Sequence, residues 1–432
     1  MKLALLSVSA ILLGACATTP LPDAALSEDS TNPQRAASQH ITKPEVVDKV
    51  ISDFVASGDV AGYSVVVYQN DEEVYYGEAG FADLESQKPI QRDTIHSIYS
   101  MTKPIVSVGL MTLYEQDLFE LDDPISKHIP EFGNMVVYAG EGEDGEPIFV
   151  PAEKTITVLD MLRHTAGLPE SFWGGPDTGS EIFGSQKEIG LENTLSEMAE
   201  AGGSLPLLFQ PGTQWRYSWA VDMQSLMIER LSGKPVEEYL REVLFDPLGM
   251  KDTTYYVPEG EQHRLATIYT MNEEGVLEKN IDQFTYDLHR KPHAMKPGSL
   301  GMVSTIDDYS QFALMLLNGG ELNGVRVLKP QTVSLMSDDH LPSGLVDTSF
   351  LGKRGFGLGF TVRLLPPESD SDNFGYVGEF RWGGAAGTNF WVDPTNDLAV
   401  VIMTQRLPYD GKLHKQIRDA VYNVMDRFDA VE

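Results

Sequence analysis

Ser100 and Lys103 place a hydroxyl group and an amine three positions apart in the chain, a combination that can serve nucleophilic catalysis. They belong to the tetrad Ser100-Met101-Thr102-Lys103, which occurs once in the chain. Residues at positions i and i+3 share one face of a helix, so the Lys103 amine can reach the Ser100 hydroxyl. A serine becomes a good nucleophile when a nearby base removes its proton, and a desolvated lysine can be that base. The tetrad thus suggests a nucleophilic serine, although such a tetrad also arises by chance.

The elements that must position this pair are predicted by apolar periodicity. An apolar run directly after the tetrad predicts a buried helix. Further helices and strands are predicted at both ends and through the middle of the chain. The predicted helices are one opening with a capping box at 42–45, then 104–117, 157–163, 191–201, 218–232, 236–244, 306–318, 330–337 and an amphipathic helix carrying Leu413, Ile417, Val421 and Val424. The predicted strands are 63–68, 73–76, 355–364, 375–382, 387–393 and 397–404.

Strands at both ends with helices between them predict an α/β fold whose sheet is assembled from distant pieces of the chain. The predicted domain spans 42–432. Its α/β part covers about 42–99 and 290–432, and an inserted, mostly α-helical lobe covers about 100–289. Two segments of the lobe, about 133–155 and 169–190, are rich in Gly, Pro and acidic residues and predict surface loops.

The N-terminal segment resembles a bacterial export signal. A charged start and an apolar run over 3–13 precede Leu13-Gly14-Ala15-Cys16, which resembles a lipobox. The resemblance implies a signal peptide over 1–15 and lipidation of Cys16. The following residues are rich in Ala, Ser, Thr, Pro and Asp without periodicity, which predicts a flexible tether over 16–41. The expected location is the periplasmic face of the envelope, at the outer membrane. An ordinary secretory signal with an incidental cysteine is the alternative.

Composition excludes several classes of partner. The formal net charge of −32 argues against nucleic acid and against electrostatic attachment to anionic lipid. The chain has a single cysteine, so no intramolecular disulfide can form. It contains neither a His-Glu-x-x-His motif nor a Cys/His cluster, so we expect no metal and no other cofactor. The expected partners are a small-molecule substrate and, through the anchor, a membrane; the oligomeric state stays open.

Three further segments accompany the tetrad: Met161–Leu168, Phe209–Trp219 and Trp382–Gly387. In this order, with Ser100 and Lys103, they resemble the serine β-lactamase and penicillin-binding-protein superfamily. The closest resemblance is to its class C-like branch, which includes the family VIII carboxylesterases. The match runs from about residue 43 to the C-terminus. It implies an antiparallel sheet flanked by helices, an inserted helical lobe and catalysis through an acyl-enzyme.

Carried over position by position, the resemblance assigns roles to named residues. Ser100 would be the acylated nucleophile, with Lys103 and Tyr217 forming its proton-transfer network. The backbone N–H groups of Ser100 and Ala385 would form the oxyanion hole. Gly383 and Gly384 would line an edge strand against which substrate can lie closely. The resemblance makes His164 part of a helix-to-loop turn rather than a catalytic base.

Two departures from the superfamily pattern point away from β-lactams. Trp219 stands where an asparagine usually binds the substrate amide, and Trp382 stands where a lysine or histidine usually holds the substrate carboxylate. We assign both tryptophans, with the two glycines, to substrate binding. Their chemistry favours a carboxylesterase acting on small to medium neutral esters, although Arg381 or Lys353-Arg354 could restore a cation.

Two other functions stay open at this point. One is a β-lactamase, D-amino-acid amidase or DD-peptidase acting on amides related to the cell wall. The other is a catalytically silent scaffold that binds wall fragments, which an intact Ser100, Lys103 and Tyr217 set argues against.

Overall fold

The computed structural model describes residues 43–169, 189–343, 345, 354–366 and 375–424. Helices alternate with short turns through the middle of the chain, in the region expected to be helical. In chain order the α-helices are Pro44–Ala56, Thr102–Tyr114, Val158–Leu162, Leu195–Gly202, Ala220–Ser232, Val236–Leu240, Asp246–Leu248, Gln283–Asp287, Ile306–Leu317, Pro330–Ser337 and Gly411–Val424. Tyr99–Met101 forms a 3₁₀ turn at the start of the second helix.

The strands of the largest sheet lie at both ends of the chain, as predicted, and shorter strands occur between them. In chain order they are β1 Gly62–Gln69, β2 Glu72–Asp83, β3 Lys88–Pro89, β4 His96–Ser97, β5 Val136–Glu141, β6 Pro147–Pro151, β7 Tyr269–Met271, β8 Leu277–Lys279, β9 Val303–Ser304, β10 Glu321–Leu322, β11 Val325–Arg326, β12 Arg354–Phe356, β13 Thr361–Arg363, β14 Phe380–Gly383, β15 Asn389–Asp393, β16 Leu398–Thr404 and β17 Arg406–Leu407.

Eight strands form one sheet in the order β12-β13-β14-β15-β16-β1-β2-β3. Every neighbouring pair is antiparallel. Within it β16 pairs with β1, so the first strand of the chain lies beside the last of this sheet's strands in chain order. This confirms the predicted antiparallel sheet flanked by helices. The residues that carry its two halves are more than 250 positions apart, with the helical part between them.

Helices cover both faces of the sheet because its central strands are apolar on both faces. In β1, Val66 packs in the core on the face of the Thr102–Tyr114 helix. Val65 and Val67 point the other way, into a core completed by the first and last helices, Pro44–Ala56 and Gly411–Val424. The apolar alternation of a single strand thus divides the molecule into two layers of core, and the cleft described below opens on the first layer.

Several predicted elements differ in the structure. The segment 133–155, expected to be a loop, contains the hairpin of β5 and β6. The hairpin is anchored because the Tyr138 N–H donates to the Leu207 carbonyl and the Leu207 N–H to the Val136 carbonyl. The run 355–364 divides into β12 and β13. Thr42 of the expected capping box and most of the segment 169–190 lie outside the described residues.

None of the helices within the described ranges combines the length and apolarity that crossing a bilayer would require.

Candidate active site

Ser100 lies in the turn that joins β4 to the Thr102–Tyr114 helix. The pairing of β4 with β9 fixes the strand before the turn, and the Ile98 N–H donates to the Met302 carbonyl. Tyr99, directly before Ser100, has a φ of 43°, in the left-handed region that non-glycine residues seldom occupy. This backbone bend directs the partly exposed Ser100 outward from the start of a buried helix. Non-glycine strain of this kind is found at functional sites.

Lys103 is buried one turn further along the same helix, at 3% exposure. Its Nζ lies 3.4 Å from Ser100 Oγ and 2.5 Å from the carbonyl oxygen of Ser299. The i, i+3 spacing seen in the sequence therefore does bring the amine to the hydroxyl. Their catalytic roles stay predictions.

Asp222 connects electrostatically to this pair and was missed by the sequence reasoning. Its side chain is fully buried, and its Oδ1 accepts the Ser299 N–H at 2.9 Å. Burial raises the pKa of Asp222 to about 6, while the Ser299 N–H and the charge of Lys103 act in the opposite direction. Ser299 is thus a bridge: its carbonyl accepts from Lys103 and its N–H donates to Asp222. The sequence signal was an acid in the first turn of a helix whose other residues are mostly apolar.

Tyr217 meets the pair from a different part of the chain. Lys103 Nζ lies 4.5 Å from the centroid of the Tyr217 ring. A positive charge over an aromatic face is a favourable contact, and a nearby cation also favours the ionised form of a phenol. The structure therefore brings Ser100, Lys103 and Tyr217 together, although 114 positions separate Lys103 from Tyr217.

The turn containing His164 holds Tyr217 in place. His164 has a φ of 59°, and its carbonyl accepts the Arg216 N–H while its ring Nδ1 accepts the Ser218 N–H at 3.2 Å. Its ring packs on the Tyr217 ring with centroids 5.1 Å apart. Burial, and then the charge of Lys103, lowers the pKa of His164 well below its usual value. A neutral, buried His164 that bonds both neighbours of Tyr217 suits a positioning role.

The end of β14 passes beside the nucleophile turn. The Gly384 N–H donates to the Thr388 carbonyl at 2.8 Å, forming a tight return of the chain. A Cβ at Gly384 would stand 2.4 Å from the Ile98 carbonyl oxygen, so only glycine fits this approach. The expectation that this is an edge strand is wrong: β13 pairs with β14 through Phe380 and Arg381. Among the described residues, the pairing of β14 with β13 ends at Arg381.

A cleft of about 430 Å³ opens at Ser100. The rings of Tyr217 and Trp382 form one wall, with centroids 5.3 Å apart, and the buried Phe356 packs behind Trp382 at 5.5 Å. Polar and cationic side chains from the sheet line the rest. The described lining residues are Ser100, Tyr217, Arg354, Thr361, Arg381, Trp382, Gly383, Gly384, Ala385, Asn389, Tyr409 and His414.

Trp219 does not occur among these described lining residues. It is 1% exposed, and its ring packs against Phe132 with centroids 6.1 Å apart. A Cβ at Gly202 would come within 2.5 Å of the indole, so this glycine makes room for the ring. The indole fills the helical core. The assignment of Trp219 to direct substrate contact is therefore corrected, and Trp219 is a core residue. Trp382, Gly383 and Gly384 do line the cleft.

A second set of charges lies at the sheet side of the cleft. Glu379, fully buried, pairs with Arg418 at 2.6 Å and with Arg354 at 3.4 Å. Burial tends to raise the pKa of Glu379, but the charges of Arg418 and Arg354 hold it below its usual value. Arg381 lies in the same group of charges and lines the cleft. The sequence had indicated Arg354 and Arg381 only as alternative cations.

No grouping of three or more His, Cys, Asp or Glu side chains suited to a metal ion is found in the described part of the chain. The structure brings a serine hydroxyl, a lysine amine and a tyrosine ring together at Ser100. This combination is typical of a serine enzyme that transfers acyl groups.

Comparison with known proteins agrees with this class. The Beta-lactamase family model matches residues 47–422, so the chain belongs to the Beta-lactamase family. Protein Rv1367c from Mycobacterium tuberculosis is 32% identical over 369 residues, which cover 83% of this chain and 89% of that protein. Esterase EstB from Burkholderia gladioli is 25% identical, covering 87% of this chain and 94% of the esterase.

A solved structure also resembles the chain over most of its length. EstCE1, described as a hydrolase with promiscuous acyltransferase activity, has a TM-score of 0.70 and 26% identity. The alignment covers 88% of this chain and 98% of EstCE1. Family membership and these relatives support serine hydrolase or acyltransferase chemistry for the chain.

Proposed function

We propose that the protein is a serine carboxylesterase that acts through an acyl-enzyme on Ser100. The observation that carries the proposal is the convergence of the Ser100 hydroxyl, the Lys103 amine and the Tyr217 ring at one cleft. The substrates are small to medium esters whose groups next to the scissile bond are neutral. Trp382 supports this specificity because an uncharged indole occupies the wall beside Tyr217.

The reaction begins when Ser100 Oγ attacks the ester carbonyl carbon. The Ser100 proton passes to the network of Tyr217 and Lys103, and the carbonyl oxygen becomes an oxyanion that the N–H groups of Ser100 and Ala385 stabilise. Collapse of the intermediate breaks the ester C–O bond, and the network returns the proton to the departing alcohol. Water then attacks the acyl-enzyme by the same route, which releases the acid and restores Ser100.

Ester specificity over amide specificity is supported by the two tryptophan positions. Trp219 is buried in the core, so this position offers no side-chain amide to a substrate. Trp382 supplies no charge for a β-lactam carboxylate. The esterase EstB and the hydrolase EstCE1, as named, are relatives whose activities agree with this proposal.

The test compares hydrolysis of p-nitrophenyl butyrate with that of a chromogenic cephalosporin. We expect faster ester turnover and a loss of about 10³-fold or more in Ser100→Ala. Ser57→Ala, at the exposed end of the first helix, is the matched control and should retain activity. Ester turnover that survives Ser100→Ala would refute the mechanism. Faster turnover of the cephalosporin would favour a β-lactamase, and lack of both activities together with no labelling of Ser100 by a fluorophosphonate would favour a silent scaffold.

A further inference from the structure

A second cavity, of about 590 Å³, is lined by residues from three parts of the chain. These are the turn between β2 and β3, Ser97 of β4, and side chains between residues 262 and 290. Among the described residues it shares no lining side chain with the cleft at Ser100. Cavities of this size that carry a few converging polar groups commonly hold small molecules. The question is therefore which ligand its side chains would recognise.

The most buried part of the lining is polar. Ser97 and His289 are each 3% exposed, and Ser97 Oγ lies 2.7 Å from His289 Nε2. Burial lowers the pKa of His289 to about 3, so its ring is neutral. The Tyr99 phenol faces the hydroxyls of Thr285 and Ser97, both of which belong to residues that line the cavity. Because a hydroxyl can take part in up to three hydrogen bonds, these groups can still bond to the hydroxyls of a ligand.

The two carboxylates that line the cavity already have partners within the chain. Asp83 accepts from the Ser86 N–H, the Ser86 hydroxyl and the Thr267 hydroxyl, each at 2.7 Å. Glu85 forms an ion pair with Lys279 at 3.0 Å, and the same amine lies 4.0 Å from Asp83. One lysine of the lining is thus balanced by these two acids, which leaves neither acid as the obvious partner of a further cation.

Two further cations, Lys88 and Arg290, line the same cavity. The Lys88 amine donates to the His263 carbonyl. The Arg290 guanidinium donates to the Tyr286 carbonyl at 3.0 Å and lies 4.4 Å from the centroid of the Tyr286 ring. In the described part of the chain, neither cation forms an ion pair with an acidic side chain. A lysine and an arginine held by neutral groups at one cavity suit an anion, since each keeps donors that a carbonyl does not use.

We propose that this cavity is a second ligand site, separate from the cleft at Ser100, and that it binds a small hydroxylated organic anion. The anionic group, a carboxylate or a phosphate, would bind Lys88 and Arg290. The hydroxyl groups of the ligand would bind Ser97 and Thr285. Binding at this site requires no reaction at Ser100, so the proposal stands or falls independently of the esterase activity.

The test measures binding of three probes built on one sugar frame: glucose 6-phosphate, glucuronate and glucose. Isothermal titration calorimetry with the full chain gives the Kd of each. We expect a Kd of about 1 mM or lower for at least one of the two anions, which is ordinary for ligands of this size. Glucose should bind at least about 10-fold more weakly, because it lacks the charge-assisted hydrogen bonds. A preference between the two anions identifies the anionic group, and either preference supports the site.

Lys88→Gln and Arg290→Gln should each raise the Kd of the bound anion by about 10-fold or more and change the binding of glucose little. Lys49→Gln and Arg326→Gln are the matched controls. They make the same changes of residue and charge at Lys49, on the first helix, and at Arg326, on the hairpin of β10 and β11. Both controls should bind the anion as wild type does. Either cavity variant decides the matter if the other shows no cooperative melting transition.

Arg381→Gln separates the two cavities, because Arg381 lines the cleft at Ser100 and not the second cavity. The Kd of the anion should be that of wild type in this variant. Anion binding that is lost in Arg381→Gln but kept in Lys88→Gln and Arg290→Gln would place the probe in the cleft and overturn the second site. No binding of either anion up to about 10 mM, or glucose binding as tightly as the anions, would overturn it as well.

Discussion

Two buried groups of charges lie on either side of the cleft, and they are built differently. At the nucleophile, Lys103 donates to a backbone carbonyl, that of Ser299, and Asp222 is reached through the N–H of the same residue. Behind the sheet, Arg418 and Glu379 are in direct contact at 2.6 Å, both fully buried.

The two groups of buried charges differ in what they can do because their cations differ in chemistry and in partners. A proton can move at Lys103 because a lysine can lose its proton, and its neighbours are a hydroxyl, a carbonyl and an aromatic ring. Arg418 cannot lose its proton in a protein and is held by a carboxylate, so it can only fix structure. Chemistry and stability are thus assigned to two separate groups of buried charges.

The largest expected effect is that of Lys103→Met. Methionine has a similar volume and removes only the amine, so kcat/KM for p-nitrophenyl butyrate should fall by about 10³- to 10⁴-fold. The melting temperature should fall, but by less than in Arg418→Met, because Asp222, whose pKa burial already raises to about 6, can bind a proton once the Lys103 charge is removed. Steady-state kinetics and calorimetry check this. A variant that unfolds would show that Lys103 is as structural as Arg418.

Tyr217→Phe tests the second proton-transfer group. Removing the hydroxyl should lower kcat by about 10²- to 10⁴-fold with little change in KM, because proton transfer matters mainly in the transition state. The ring contacts with His164 and Trp382 remain, so folding should be unaffected. Stopped assays with wild type in parallel measure both constants. An unchanged kcat would mean that Tyr217 has been misassigned and that only Lys103 carries the proton.

Arg418→Met should have the opposite profile to Lys103→Met. It leaves Glu379 buried with Arg354 at 3.4 Å, so the free energy of unfolding should fall by about 3–5 kcal/mol. The folded fraction should keep hydrolysing neutral esters. Denaturant titration measures the loss, and adding Glu379→Met should restore part of it. An Arg418→Met variant that kept full stability but lost activity would contradict the structural role of Arg418.

The smallest expected effect is the change of stability with pH. A buried histidine lies near each group of charges: His164 near Lys103 and His414 near Arg418. Burial lowers the pKa values of four histidines, with cations adding to the effect at three of them: His96 to about 4, His289 and His414 each to about 3, and His164 well below its usual value. The unfolded chain therefore binds more protons below about pH 6.5, and stability falls as the pH falls. Asp222 and Asp308, each with a pKa raised to about 6, act in the opposite direction between about pH 6 and 4.

Asp393 and Glu229, whose pKa values burial also raises, act in the same direction as Asp222 and Asp308. The decrease in the free energy of unfolding should therefore be clearest between about pH 7 and 6, where the histidines of the unfolded chain bind protons and the raised carboxyl groups are still largely ionised. Calorimetry in about 0.5 M NaCl, which screens the repulsion among surface carboxylates, measures the change. A melting temperature that rises on acidification would contradict the buried, neutral state of these histidines.

Much of the fold followed from periodicity, because burial on one or both faces leaves a readable pattern. The helix Pro330–Ser337 begins and ends as predicted, and β16 coincides closely with the run 397–404. The hairpin of β5 and β6 was missed because Gly140, Gly145 and the acidic residues around them resemble a loop. Its stability comes from backbone bonds to Leu207, which no local pattern contains.

Local sequence predicted less of the candidate site than of the fold. The contact of Ser100 with Lys103 follows from helical spacing, whereas bringing Tyr217 to them required a resemblance, since local sequence carries no information on contacts so far apart in the chain. Ser299 and Phe356 have no local signal at all: one acts through its backbone and the other packs as an ordinary apolar residue. Trp219 shows the limit of carrying roles over by position, because a larger ring at that position turned into the core.

The approach of Gly384 to the Ile98 carbonyl has a consequence for how this enzyme can diversify. The two proposed oxyanion donors, the N–H groups of Ser100 and Ala385, belong to the main chain at that junction, next to the bent Tyr99 and to Gly384. Neither donor can be tuned by exchanging a side chain, so the electrophilic pull on the carbonyl is effectively constant across variants. Evolution toward new substrates is left to replaceable side chains around the rim, and laboratory libraries are best concentrated there.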